Sequence, residues 1–158
     1  MKTATISELK TALSDTRPNQ LVDICLRLAK FKKENKELLT YLLFEAFDED
    51  AYVESVKEQM LNMFDEINMS GVYFIKKTLR RILRIVNKYI RFTGSADVEI
   101  RLLMFFCEQV ISYKIPVRES AVINNMYQSQ VNKIKNAVMT LHEDLQYDYL
   151  KKIEQIMQ

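Results

Sequence analysis

Two glycines and two prolines in 158 residues constrain this chain more tightly than any other feature. A sheet protein places Gly, Pro and Asn at its hairpins, where turns demand them. With Gly71, Gly94, Pro18 and Pro116 as the whole supply of glycine and proline, the solution left is long helices with short joints. The length suits one domain that buries its own core. No linker or low-complexity segment interrupts it. The expected fold is therefore all-α, a single domain over residues 1–158. It has seven or eight helices in successive antiparallel hairpins, as an α–α superhelix or an irregular bundle.

The rare breakers act as punctuation. "TISE" is a capping box, Thr5 at N-cap and Glu8 at N3, opening a helix to about Leu13. Pro18 suits the first turn of a second helix to about Phe31, with Leu21, Ile24, Cys25, Leu28 and Phe31 at helical spacing. A third, about 34–47, carries Leu38, Leu39, Leu42, Leu43, Ala46 and Phe47. Asp48, Glu49 and Asp50 open a fourth, to about Ile67, where the helix dipole favours negative charge. A fifth covers about 71–92, with Gly94 as its C-cap. Ser95 caps a sixth, about 96–113. Pro116 is expected to open a seventh. The remainder, free of Gly and Pro, is one long helix or two with a joint near residues 142–144, and mean helix length favours the joint.

The fifth segment, "IKKTLRRILRIVNKYIRF", carries seven bases and no acid. At about 100° per residue, Lys76, Lys77, Arg80, Arg81, Arg84, Lys88 and Arg91 share roughly 140° of arc, with Tyr73 among them. The apolar residues take the opposite side. Residues 45–66 hold eight acids and one base, net −7, against +7 for 67–92. One reading is that these charges pair along a helix hairpin or are simply solvated, with Glu54 and Glu58 approaching the basic face. The alternative is a phosphate-binding face with Tyr73 stacking on a base. An acidic protein partner would also fit. A membrane surface fits least, because neighbouring helices carry apolar stripes of their own.

Catalytic groupings are missing from the pattern. The one histidine, His142, belongs to neither H-E-x-x-H nor E-x-x-H, and "HED" spreads its side chains around a helix. Cys25 and Cys107 sit in apolar runs that disfavour a thiolate. "DEDAYVE" lacks the glycine and closing glutamate of a calcium loop. The expectation is therefore no enzyme, no cofactor and no metal. A net charge of +2 supplies no global field for a polyanion. Two cysteines make no disulfide framework, the amino terminus has no apolar signal core, and no window is apolar enough to span a bilayer. These point to a cytoplasmic protein.

In the last third, Tyr127, Val131, Ile134, Val138, Leu141 and Leu145 repeat at spacings of 4, 3, 4, 3 and 4. Such a stripe fits an edge helix on one neighbour, or a seam for self-association as a homodimer. "LSDTRPNQLVDICLRLAKFKKENKELLTYLL", with "DVEIRLLMFFCEQV" and "LHEDLQYDY" downstream, resembles a group of small bacterial helical proteins of unknown function. Their αα-hairpins are similar to HEAT-like superhelices. The resemblance covers most of the chain, implies a HEAT-like arrangement and supplies no activity. The function expected is a non-catalytic protein–protein interaction or scaffold module. The alternative is nucleic-acid binding through the basic helix.

Overall fold

The computed structural model describes residues 2–157. It is all-helical, with eight α-helices and no strand among the described residues. The chain forms two compact units, Met1–Glu45 and Ala46–Gln158.

The first unit holds α1 (Ile6–Ser14), α2 (Pro18–Phe31), α3 (Lys33–Thr40) and a π-helical turn, Tyr41–Glu45. The expected capping box is present. The Glu8 amide donates to Thr5 Oγ1 at 3.3 Å, and the Thr5 amide donates to Glu8 Oε2 at 2.7 Å. That backbone hydrogen bond, with a second from the Thr5 hydroxyl, lowers the Glu8 carboxyl below its ordinary pKa. Pro18 occupies the first turn of α2 behind an extended Arg17, as its locked φ requires. One extended residue, Lys32, separates α2 from α3. Across that joint Asn35 Nδ2 donates to the Leu28 carbonyl at 2.9 Å, satisfying an acceptor the helix end leaves open. The expected helix over 34–47 is shorter. It ends at Thr40 and widens into the π turn.

The second unit holds α4 (Glu49–Asp65), α5 (Val72–Thr93), α6 (Ala96–Ser112), α7 (Ala121–Val138) and α8 (Glu143–Met157). Asp48 Oδ1 accepts from the Ala51 amide at 2.9 Å and starts α4. Gly94, at φ 62°, ends α5 in the left-handed conformation that lacks a Cβ penalty, its amide donating to the Ile90 carbonyl at 3.1 Å. Ser95 caps α6.

Helix α6 is the centre of this unit and packs against α4, α5, α7 and α8. Its sequence explains why. Val98, Ile100, Leu102, Leu103, Met104, Phe106, Cys107 and Val110 are all buried, an apolar surface on nearly every side. Each such side chain contributes about 1.5–3 kcal/mol when fully buried. Phe64 of α4 packs on Phe106 with ring centroids 5.7 Å apart. Polar ties reinforce the packing. Arg101 of α6 reaches Asp50 of α4 at 2.6 Å, and Tyr149 of α8 donates to Asp97 of α6 at 2.5 Å.

Pro116 does not open a helix. Lys114 turns left-handed at φ 51°, and α7 begins at Ala121, where Ser120 Oγ accepts from the Ile123 amide at 3.4 Å. A side-chain acceptor at Ser120 is the stronger start signal. The tail contains two helices, with the joint at residues 139–142. No helix among the described residues is long and apolar enough to cross a membrane.

Candidate functional site

Helix α5 buries Ile75, Leu79, Ile82, Leu83, Val86 and Ile90, which leaves its basic arc outward. The expected pairing with acidic α4 is corrected by the geometry. A single cross-helix ion pair joins them among the described residues, Arg81 to Glu66 at 2.7 Å, with both ends well exposed. Such a pair is worth about 0–1 kcal/mol. Glu54 turns to Lys57 on its own helix at 2.8 Å, and Glu58 makes no ion pair among the described residues. Asp50 and Asp65 face the α6 side, where Arg101 and the Tyr113 hydroxyl meet them. The physical reason is rotational. The apolar face of α4 (Tyr52, Val53, Val56, Met60, Met63, Phe64) must bury, and that places its acids away from the cations of α5.

The cations divide accordingly. Lys76 lies 5.7 Å from the Tyr73 ring and Lys88 lies 4.7 Å from that of Tyr89. Lys77, Arg80, Arg84 and Arg91 are exposed and make no ion pair among the described residues. Tyr73 is 63% exposed. Lys133 of α7 joins this surface, its Nζ donating to Asn87 Oδ1 at 3.1 Å. Nothing in the sequence flags Lys133, because 46 positions separate it from Asn87.

A second surface was not anticipated as a site. The stripe Leu21, Ile24, Cys25, Leu28, Phe31 reads as core, yet none of these residues is buried. Leu28 is 55% exposed and Phe31 78%. The α2–α3 hairpin forms a groove of about 270 Å³ lined by Cys25, Leu28, Ala29, Asn35, Leu38, Leu39 and Leu42. Beside it, Ile24, Arg27, Leu28 and Phe31 frame a further apolar recess. Residues 23–37 carry Arg27, Lys30, Lys32, Lys33 and Lys36 against Asp23, Glu34 and Glu37, with Lys33 paired to Glu37 at 3.9 Å, so the hairpin keeps a modest basic excess. The sequence signal was present in "RLAKFKKENK", apolar spacing interleaved with lysine.

The proposed self-association seam is corrected at four positions. Tyr127, Val131, Ile134 and Val138 are buried in the core of the second unit. They line the face of α7 that is covered within the second unit, where α7 packs against both α6 and α8. Leu141 falls in the joint and is half-buried, and Leu145 lies exposed on α8.

The titratable groups explain what chemistry is on offer. Burial pushes the Cys107 thiol up to about 12. It does the same for Tyr127, and for Tyr149 with help from the Asp97 hydrogen bond. Burial opposes the charge on Arg101, but Asp50 and Asp97 outweigh it and raise its pKa. Each shift favours the form already present at neutral pH, so none of them readies a group for proton transfer. His142 is exposed, 3.4 Å from Asp144. Among the described residues no three His, Cys, Asp or Glu side chains converge as metal ligands. Both cysteines are free, Cys25 exposed and Cys107 buried. An open cleft of about 430 Å³ borders the α6–α7 loop, lined by Ile111, Lys114, Arg118, Asn124 and Gln128 among others.

No protein-family model, curated protein or solved structure matches this chain.

Proposed function

We propose that this protein is a non-catalytic interaction module, and that its N-terminal hairpin docks an acidic amphipathic helix of a partner protein. The observation that carries this reading is the exposed apolar stripe of α2, with Leu28 and Phe31 largely exposed at its C-terminal end. Apolar area left open at this density marks an interaction surface. A groove between two helices fits a third helix laid along it, with anchors at i, i+3 or i+4, and i+7. The basic rim selects the partner's charge. Two copies meeting through the same face would set rim against rim and repel. Free thiols at Cys25 and Cys107 suit a reducing, cytoplasmic setting.

The test uses a synthetic helical peptide with leucines at those anchor spacings and glutamates on both flanks. Binding is read by calorimetry, and Cys25 in the groove reports by its alkylation rate. The Glu-flanked peptide should bind with a micromolar Kd and slow Cys25 modification. A Lys-flanked version should bind at least tenfold more weakly, and Leu28→Asp should abolish binding with helicity unchanged. Equal binding of both peptides would overturn the assignment. So would a wild-type dimer that Leu28→Asp dissociates, which would give the groove to a second copy.

A further inference from the structure

We propose that the exposed cations of α5, Lys77, Arg80, Arg84 and Arg91, joined by Lys133 of α7, bind the phosphates of a single-stranded nucleic acid, with Tyr73 stacking on a base. The four helix cations occupy roughly 60° of arc and about 21 Å of helix length, close to one charge per turn where they adjoin. This is a narrow line, suited to one strand of regularly spaced charge. Asn87, which accepts from Lys133, sits on the arc between Lys76 and Arg80, so α7 adds its charge to the same line. No acid belongs to α5, and Glu66 of the preceding segment, which reaches it, is taken by Arg81.

Alternative occupants fit less well. A membrane-surface helix needs its apolar face free to enter the lipid. That face of α5 is buried, from Ile75 to Ile90, leaving Tyr73 as the aromatic group within the cation arc. A duplex offers no open base for Tyr73, whereas an unpaired strand does. An acidic helix would match the charge but gains no apolar anchor along this arc. The +2 net charge does not argue against a strand, because the field that matters is local and α4 does not cancel it.

The test titrates the full chain into a fluorescein-labelled 15-nucleotide oligo-dT and follows anisotropy. Parallel arms use vesicles with 30% phosphatidylserine and a polyglutamate competitor. Three or four phosphate contacts give a log–log salt slope of about −2 to −3, so affinity should fall roughly 15- to 60-fold between 50 and 200 mM salt. Arg80→Gln with Arg84→Gln should flatten the slope by about 1 or more, at unchanged circular dichroism. Tyr73→Ala should weaken binding roughly fivefold or more without moving the slope. No binding at 50 mM salt overturns the proposal. Vesicle binding without oligonucleotide binding moves the face to a membrane. Competition by polyglutamate at equal charge concentration moves it to an acidic protein. If either variant unfolds, the salt slope of the wild-type chain decides alone.

Discussion

Cys107 and Cys25 show how one residue type reads differently in two settings. Both lie in apolar runs, which suggested two buried thiols, yet Cys107 is buried in α6 and Cys25 is exposed beside an open groove. A thiol removed from water resists ionisation, and Cys107 rises from 9.0 to about 12, with Glu108 adding to the effect. Above pH 9 the unfolded chain releases this proton while the native chain keeps it. The unfolded state then binds fewer protons, so stability falls as pH rises, from fully present below 9 to lost near 12. Tyr127 and Tyr149 act in the same direction between 10 and 12. Urea unfolding at pH 8 and pH 10.5 should differ by about 2 kcal/mol through Cys107. Cys107→Ala should be less stable at pH 8 and lose less on going to pH 10.5. Equal pH sensitivity of variant and wild type would show that the thiol does not carry the effect.

At the scale of elements, α2 and α7 present the same pattern and meet opposite fates. Apolar spacing shows that a helix has a face to cover, but not what covers it. The stripe of α7 is buried because α6 offers apolar residues all round, whereas α2 pairs with α3 and keeps its stripe open. For this reason Ile134→Glu should unfold the second unit and not merely separate two copies, since it places an uncompensated charge at a fully buried position. Loss of cooperative melting in circular dichroism is the expected outcome. A folded variant that changes only its sedimentation would restore the seam. The helix starts were legible where a side chain caps them, at Thr5, Asp48 and Ser95. Pro116 is the expected start of α7, but the Ser120 cap sets it at Ala121. The orientation of α4 was not legible either. Equal and opposite charge on adjacent helices suggests pairing, but burial of six apolar side chains outweighs exposed ion pairs.

For the whole molecule, the distribution of core predicts which part opens first. Among the described residues, the buried apolar side chains lie in the second unit, with Tyr41 the exception. Local opening costs least where little apolar area is buried. Trypsin supplies a direct contrast, because it cuts after Lys and Arg and both units offer both. Helix α5 presents seven such residues, all in a helix pinned by its buried face. The first unit presents Arg27, Lys30, Lys32, Lys33 and Lys36 within ten positions, around the one-residue joint at Lys32. If exposure alone governed cleavage, the arginines of α5 would be cut as readily as these. If opening governs it, cuts should gather around residues 30–36 and leave a resistant fragment that retains Glu49–Met157. Mass spectrometry of a time course at low trypsin distinguishes the two. Adding the Glu-flanked peptide should delay the early cuts, because a ligand bound to the closed hairpin stabilises it by mass action. First cuts within α5 would show that the second unit is not the stable core, and would undercut the proposed strand-binding face, which needs α5 held rigid.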